Sequence, residues 1–385
     1  MKVRKDVSKV TDKKGRPTWR ARIRWTRADG TTGAKTAYGK SKRHANTLAD
    51  QLAGKVQADG VKTIEAERLT FNDLADEFKE RKLVEPVYVG DMRIAGQQAY
   101  QRQINFLKPL KEYFGAARVQ AITYEDLLSY RKVRFELKTV RGGQRSIAGV
   151  NRELTLLRTM FNYARRCGYV ARSPFEMGKG LISAAGEVRR DRILTAEEEA
   201  RLLAACVDHR AHLRPILIIA IDTAMRKGEI FKLRWADVNF TRGTIRIRST
   251  TTKTRKGREV GMTGRIRGAL EGVWIQRRDP KPQDPIFSGV KDCKKAFAGA
   301  CRDATRDGQR APILDLRFHD LRHTATTRMV QMGLPAALVM EITGHTQFST
   351  FRRYVNVDSG AASQAAALLD QFNEKEKEQP AEIIH

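Results

Sequence analysis

Cysteine, acidic side chains and long apolar runs are all scarce in this chain of 385 residues. Its four cysteines lie far apart without a Cys-x-x-Cys pair, which argues against a zinc site and, in a reducing compartment, against disulfides. The longest apolar run, residues 213–225, is interrupted by charge and proline and is too short to span a bilayer. The basic N-terminus lacks the apolar segment of a secretory signal. We therefore expect a cytoplasmic protein.

The shortage of acidic residues leaves a large positive charge. Lysine and arginine number 73 against 44 aspartate and glutamate residues, which gives a formal net charge of +29 and a pI near 10.3. This exceeds what solubility requires and matches a polyanionic partner, of which nucleic acid is the obvious candidate. The length predicts two or three folded domains rather than one.

The first predicted domain, residues 1–62, carries a dense share of that charge. At residues 18–30, apolar residues alternate with arginines in the period of a strand that has one packed face and one charged face. The arginines of the charged face are Arg20, Arg22 and Arg24. An Asp-Gly turn, a second strand and a helix capped by Ser41 complete a small sheet with one helix. Such a face suits a DNA groove, although a charged edge strand that resists aggregation shows the same pattern.

The second predicted domain, residues 68–172, has the pattern of a wholly helical unit. A capping box at Thr70 begins its first helix, and its clearest helix runs from about 146 to 167 before Gly168. Arginines on the outer faces of that helix are candidates to contact DNA: Arg152, Arg158 and Arg165. Residues 173–193 carry proline, glycine and charge without periodicity, which predicts a linker.

Separated polar motifs mark the third predicted domain, residues 194–372. The candidates, in chain order, are Arg226 with Glu229, Lys253, His319 with Arg322, His345 and Tyr354. His319 and Arg322 have the i, i+3 spacing that turns two side chains toward one point. Lys253 lies in a basic turn between two predicted strands, where Lys256 is an alternative. Taken singly, each motif also fits an ordinary surface residue.

Together these residue types suit attack on a phosphodiester, which needs fixed cations around the non-bridging oxygens, a nucleophile, a base and an acid. Arg226 and Arg322 can hold the phosphate through bidentate contacts. Tyr354 can be the nucleophile, because a later hydroxyl can displace the phenol from the aryl phosphate. A lysine of the basic turn is a better acid than an arginine. No compact cluster of metal-ligand residues lies near these motifs, so we expect neither a metal nor another cofactor.

The motifs, in their order and separation, resemble the tyrosine recombinases, and more closely the phage and mobile-element integrases. The matching strings are TAMRKGEI, TKTRKGREV, HDLRHT and TGHTQFSTFRRY. The resemblance implies an active site made of Arg226, Lys253, His319, Arg322, His345 and Tyr354, with Glu229 in support. Two departures, Thr343 in place of a usual leucine and Ala325 in place of a bulkier residue, concern packing rather than chemistry.

The fold that the resemblance implies is a multi-domain α+β arrangement. It comprises a small arm-binding β-sheet plus helix, an all-helical core-binding domain and a mainly helical catalytic domain with a small β-sheet. The Ala-rich segment 360–372 is expected to be a helix that docks onto a neighbouring protomer, and residues 373–385 are expected to be a tail.

Members of such a family cut one strand at a time, leaving a 3′-phosphotyrosine and a free 5′-hydroxyl. The resemblance therefore implies integration or excision of a phage or mobile element, on double-stranded DNA with core-type and arm-type attachment sites. It also implies a homotetramer on two DNA sites in a bacterial host, with a DNA-bending host protein and a directionality factor as further partners. The alternatives are a type IB-like topoisomerase and a catalytically inactive architectural or regulatory DNA-binding protein.

Overall fold

The computed structural model describes most of the chain. The described residues are 3–12, 14–27, 30–90, 92–140, 142–187, 190–252, 256–290, 292–355, 366–367, 369–370 and 374. Two compact units are present, Met1–Val89 with Arg93–Val188 and Gly90–Met92 with Arg189–His385. Their main boundary falls inside the predicted linker, whereas the finer division into four parts stays a prediction. Within the described ranges, no helix is long and apolar enough to cross a membrane.

The first unit begins with a three-stranded antiparallel sheet and a helix. The elements are β1 (Val3–Thr11), β2 (Pro17–Thr26), β3 (Thr32–Gly39) and α1 (Lys42–Asp59), with β2 in the centre of the sheet. Ala21, Ile23 and Trp25 are buried in clusters with residues of α1, which confirms the predicted alternation along β2. Strand β1 was not predicted, because its valines and lysines do not alternate regularly and it depends on pairing with β2.

Small residues let α1 approach the sheet closely. Ser41 caps the helix by accepting a hydrogen bond from the His44 amide, as its sequence position predicts. Ala45 and Ala49 pack against Ala21. A Cβ atom at Gly39 would lie 2.7 Å from the Ala45 amide nitrogen, so this contact requires glycine. Arg20, Arg22 and Arg24 lie on the opposite face of the sheet, away from α1.

A bundle of helices forms the rest of the first unit. Its elements are α2 (Val61–Glu65), α3 (Phe71–Lys82), β4 (Val87–Val89), β5 (Met92–Ala95), α4 (Tyr100–Phe114), α5 (Tyr124–Glu136) and α6 (Ile147–Arg166). The capping box at Thr70 and the helix between Ser146 and Cys167 are as predicted, and Gly168 follows with a φ of 77°. The hairpin of β4 and β5 corrects the prediction of a wholly helical domain, since its short apolar runs gave no clear period.

An ion pair lies inside this bundle. Arg134 donates two hydrogen bonds of 2.7 Å to Glu153, and the Tyr130 hydroxyl donates a third. Hydrophobic side chains from α3, α4, α5 and α6 surround these groups, so the charges are satisfied locally rather than by water. The pair fixes how α5 and α6 pack, because either partner alone would be a buried uncompensated charge.

In its described residues, the second unit is mainly helical with two small sheets. Its elements are α7 (Ala196–Ala204), α8 (Leu213–Thr223), α9 (Lys227–Ile230), β6 (Val238–Asn239), β7 (Thr244–Ile247), β8 (Arg258–Gly261), α10 (Gly264–Arg277), α11 (Lys294–Arg302), β9 (Thr305–Arg306), β10 (Gln309–Arg310), α12 (Phe318–Gln331), α13 (Ala336–Thr343) and α14 (Phe348–Phe351). Strands β6, β7 and β8 pair in chain order. Ile245, Ile247 and Val260 are buried as predicted, and the capping box at Thr195 begins α7.

Helix α8 lies at the centre of this unit. Most of its residues are buried, and they form one core with α7, α10, α11 and the small sheet. The core therefore fixes the position of the C-terminal end of α8. The chain runs directly from this end to Arg226. Lys253 lies outside the described residues, as do most of the predicted helix at 360–372 and most of the tail at 373–385.

Candidate active site

The abrupt end of α8 places Arg226. Ala224 has a left-handed backbone with φ of 55°, an uncommon conformation for a residue other than glycine. Arg226 then begins α9, where its amide and its guanidinium both donate to Glu229, at 3.0 and 2.9 Å. The predicted pairing of these two side chains is therefore present. The guanidinium also donates to the Gly344 carbonyl at 3.3 Å.

Glu229 joins a second arginine to this pair. Arg258 donates to its carboxylate at 2.7 Å and to the Ile342 carbonyl at 2.8 Å. Glu229 is only 3% exposed. Burial opposes its ionisation, but the hydrogen bond and charge of Arg258, together with Arg226, outweigh burial and lower the pKa of Glu229. The carboxylate therefore ties β8 to α9, and Arg258 ties both to the end of α13.

Arg322 is the most deeply buried cation of the site. It lies on α12, is 3% exposed, and donates to the Ala224 carbonyl at 2.6 Å. Its other terminal nitrogen lies 3.3 Å from Nε2 of His345. Burial and the nearby Arg226 lower the pKa of Arg322, although an arginine stays protonated in proteins. The unusual backbone of Ala224 thus turns a carbonyl toward this buried charge.

His319 lies one helical turn before Arg322, on the exposed side of α12. The surrounding protein atoms, and then Arg322 and Arg226, lower the pKa of His319. The same cations therefore act on His319 and on each other, which is the convergence that the i, i+3 spacing predicts. His319 is neutral near pH 7 and keeps a face toward solvent, where a phosphate could reach it.

An acidic residue anchors the start of α12. Asp320 accepts from the Arg317 amide at 2.8 Å and is 1% exposed. Arg190, near the end of the predicted linker, donates to both carboxylate oxygens of Asp320, at 2.8 to 2.9 Å. The linker end is thereby attached to the helix that carries Arg322.

His345 is held in one tautomer by a relay of hydrogen bonds. Arg322 can only donate, so Nε2 of His345 accepts and its Nδ1 carries the proton. Nδ1 lies 2.7 Å from the hydroxyl of Thr343, which in turn donates to the Val339 carbonyl at 2.7 Å. Burial, Arg322 and Arg226 lower the pKa of His345 to about 3. Thr343 is thus a polar partner of His345, beyond the packing role expected for that departure.

Gly344 makes the turn that brings His345 to the arginines. Its φ is 71°, and a Cβ there would lie 3.0 Å from the Arg258 guanidinium. Both the left-handed backbone and the close approach of Arg258 require glycine at this position.

Tyr354 lies in a single helical turn, Arg352–Tyr354, directly after α14. Its hydroxyl oxygen is 2.6 Å from Nδ1 of His323, and its ring centroid is 5.6 Å from that of His345. Arg353 donates to the Arg190 carbonyl and, at 3.0 Å, to the Asp191 carboxylate. The linker end therefore holds the tyrosine turn as well as α12.

The structure brings the predicted residues Arg226, Glu229, His319, Arg322, His345 and Tyr354 into one site. Sequence reasoning missed His323 and the polar role of Thr343, and it considered Arg258 only as a proton donor, a role for which an arginine is poorly suited. The sequence did contain a signal for His323, because this residue follows His319 by four positions and therefore lies on the same helix face. The sequence also indicated the position of Arg258. It lies two residues before the buried Val260 on the same strand, so both side chains are on the same face of the sheet.

The candidate DNA contacts belong to the first unit. Register places Arg20, Arg22 and Arg24 on the sheet face opposite the buried residues of β2, with Tyr38 across from Arg20. Tyr38 is 63% exposed. On α6, Arg152 and Arg158 are exposed. Arg165 is also exposed but pairs with Glu176 at 2.5 Å, so part of its charge is compensated.

Comparison with known proteins decides the family. Residues 192–360 match the model of the phage integrase family. The chain is 32% identical over 280 residues to the shufflon-specific DNA recombinase of Escherichia coli, and the match covers 71% of this chain and 67% of that relative. The chain belongs to the tyrosine recombinase family. As an enzyme it is a tyrosine-type site-specific recombinase.

Other relatives match this recombinase over shorter or more divergent stretches. The integrase of Salmonella phage P22 is 26% identical over 191 residues, which cover 47% of this chain and 48% of that relative. Among solved structures, the Tn1549 transposon integrase with transposon right end DNA has a TM-score of 0.62 at 15% identity, covering 78% of this chain and 100% of that one. A lambda integrase dimer on a COC′ core site has a TM-score of 0.55 at 15% identity, covering 91% and 95%. These structures share the fold.

The relay through Thr343 can be tested by removing its hydroxyl. Thr343→Val keeps the side-chain volume but leaves the Nδ1–H of His345 without its acceptor, which should lower the free energy of unfolding by about 1–3 kcal/mol. Thr343→Ser, which keeps a hydroxyl, is the matched control and should lose less. Urea unfolding near neutral pH measures both variants, and nitrogen NMR of the imidazole reports the tautomer. Equal stability of the valine variant and the wild type, with an unchanged tautomer, would contradict the relay.

Proposed function

We propose that this recombinase cleaves and rejoins double-stranded DNA through a 3′-phosphotyrosine on Tyr354, and so integrates or excises a phage or mobile element. The observation that carries the proposal is the convergence of the Tyr354 side chain with the buried Arg322 and the half-buried His345 and Arg226. A phosphodiester is the substrate that needs fixed cations and a nucleophile at one point. The proposal also rests on membership of the family.

Arg226 and Arg322 would bind the non-bridging oxygens of the scissile phosphate. A guanidinium has five N–H groups. Among the described residues Arg226 uses one on Glu229 and one on Gly344, and Arg322 uses one on Ala224 and one on His345. The remaining N–H groups can hold a phosphate that is already surrounded by preorganised charge. His319 would contact the same phosphate from its exposed side.

The reaction would be an in-line displacement. The Tyr354 oxygen forms a bond to phosphorus while the bond to the 5′-oxygen breaks, and that oxygen leaves with a proton. Lys253 is the proposed acid, because a lysine gives up a proton more readily than an arginine and Lys253 lies in the string that resembles the family. Lys256, three residues later in the sequence, is the alternative. A 5′-hydroxyl from a partner duplex then attacks the phosphotyrosine and releases the phenol.

Separate surfaces would bind separate DNA sites. The sheet face with Arg20, Arg22 and Arg24 is proposed to enter the groove of an arm-type site, since a B-DNA major groove admits a β-ribbon. Helix α6 would bind the core-type site through Arg152, Arg158 and Arg165. A homotetramer on two DNA sites in the bacterial cytoplasm is proposed with support from a fold neighbour, a lambda integrase tetramer bound to a Holliday junction, with a TM-score of 0.53. A DNA-bending host protein and a directionality factor complete the proposed partners.

The nucleophile is tested with Tyr354→Phe. Only the hydroxyl is lost, so DNA affinity should stay within about twofold of wild type while the covalent adduct disappears. A nicked suicide duplex carrying the attachment junction traps the adduct, which a denaturing gel detects. Adduct formation by the phenylalanine variant would contradict the assignment. If the wild type binds this duplex but forms no adduct, the inactive DNA-binding alternative is correct.

The acid is tested with a duplex whose bridging 5′-oxygen is replaced by sulfur. A thiolate leaves without a proton, so Lys253→Ala should cleave ordinary DNA at least about a hundredfold more slowly than wild type and recover on the sulfur duplex. Lys256→Ala is the matched control and should cleave both duplexes at near wild-type rates. Rescue of the Lys256 variant alone would move the assignment to that residue.

The arm surface is tested by removing charge from one face of the sheet at a time. Changing Arg20, Arg22 and Arg24 to glutamine should reduce the slope of log affinity against log salt by about 0.9 for each lost phosphate contact. The control carries the same charge change on the helix-covered face: Lys5, Lys9 and Lys35 to glutamine. Binding to arm-type DNA at several salt concentrations measures the slopes. Equal slopes in the two triple variants would refute the proposed surface.

A further inference from the structure

The hydroxyl of Tyr354 has a partner that its proposed role leaves unexplained. Nδ1 of His323 lies 2.6 Å from the phenol oxygen, and the two ring planes are inclined by 37°. His323 is 9% exposed and lies on α12 one residue after Arg322. The imidazole is thus built into the same helix that holds the buried arginine.

The hydrogen bond runs from the phenol to the imidazole. A separation of 2.6 Å suits an O–H donor, whereas N–H donors to oxygen are usually found near 2.9–3.0 Å. Burial raises the pKa of Tyr354, so the phenol keeps its proton in the free protein. Burial and then Arg353 and His319 lower the pKa of His323 to about 4, so its ring is neutral and has a lone pair to offer.

We infer that His323 is a catalytic residue that takes the proton from Tyr354 as the phenol oxygen attacks phosphorus. The Oη–P bond forms, the bond from phosphorus to the 5′-oxygen breaks, and the Oη proton moves to Nδ1 of His323. The departing oxygen receives its proton from the basic turn. Resealing runs the same transfers in reverse. This inference rests on the proposed cleavage by Tyr354.

His319 is less well placed for this task. Its ring centroid is 5.4 Å from that of His323 in an edge-on arrangement, and among the described residues the Tyr354 hydroxyl is hydrogen-bonded to His323 and not to His319. His319 faces solvent and the cations instead, where the phosphate would bind. In this proposal His323 takes up the proton of Tyr354, and His319 contacts the phosphate.

The charges around His323 make its basicity depend on whether DNA is bound. The charged and titratable groups that act on this histidine are Arg353, His319, Asp320 and Arg322, and all of these except Asp320 disfavour protonation. Asp320 favours protonation, but its carboxylate already pairs with Arg190. A bound phosphate anion offsets the arginine charges, so His323 becomes more basic when DNA occupies the site. The tyrosine is thereby activated only in the complex.

The test compares His323→Asn with His319→Asn on the nicked suicide duplex with a bridging sulfur, which removes the need for an acid. Asparagine keeps a hydrogen-bond acceptor near the position of Nδ1 but cannot take up the proton. Single-turnover adduct formation by His323→Asn should fall by about 10²–10³. Replacing Tyr354 by a fluorinated tyrosine, whose phenol ionises more readily, should restore at least about tenfold of that loss.

Two further measurements separate a catalytic role of His323 from a structural one. If the role is catalytic, the DNA affinity and the melting temperature of His323→Asn should match those of the wild type. His323→Gln replaces the asparagine variant if that variant fails to fold. The adduct rate of the variant should also rise steadily with pH, because the phenol must now ionise by itself. Cleavage by His323→Asn within about threefold of wild type, a faster rate, or fluorotyrosine rescue of His319→Asn alone would overturn the inference. Absence of an adduct in the wild type would instead refute the proposed function.

Discussion

The candidate active site depends on keeping like charges together in a largely buried space. Arg226 and Arg258 share the carboxylate of Glu229, while Arg322 relies on the carbonyl of Ala224. Without these acceptors, mutual repulsion and the loss of water would make the cluster unstable. The acceptors come from the ends of helices and from distant parts of the chain. The cluster can therefore form only after α8, α9, α12 and β8 have packed.

Burial and nearby arginines together determine the protonation of the histidines. Burial first, and then neighbouring arginines, lower the pKa values of His319, His323 and His345, so the imidazoles are neutral near pH 7 while the guanidiniums carry the fixed charge. Positive charge and proton transfer are thus assigned to different residue types. In the proposed reaction, a phosphate would meet cations that do not titrate and neutral imidazoles that could accept a proton. This separation is what a reversible transfer without ATP needs, since each step must run in both directions.

Local patterns in the sequence predicted those features that depend on neighbouring residues. Alternation predicted β2, capping boxes predicted the starts of α3 and α7, and helical spacing predicted that His319 and Arg322 lie together. Features that depend on contacts between distant segments were not predictable in this way. Strand β1 needs β2 beside it, and the hydrogen bond between His323 and Tyr354 spans 31 positions. The hydroxyl of Thr343 acquires its role only where α13 ends beside α12.

The linker end has a consequence for how the protein can be divided. Arg190 pairs with the buried Asp320, and its carbonyl accepts from Arg353, next to the tyrosine. A fragment that begins at residue 194, where sequence patterns place the domain start, would lack both contacts. Asp320 would then be a buried carboxylate without its cation, at a cost of about 3–5 kcal/mol. The smallest autonomous catalytic fragment is therefore expected to begin at or before Arg190, inside the segment that its composition predicts to be a linker.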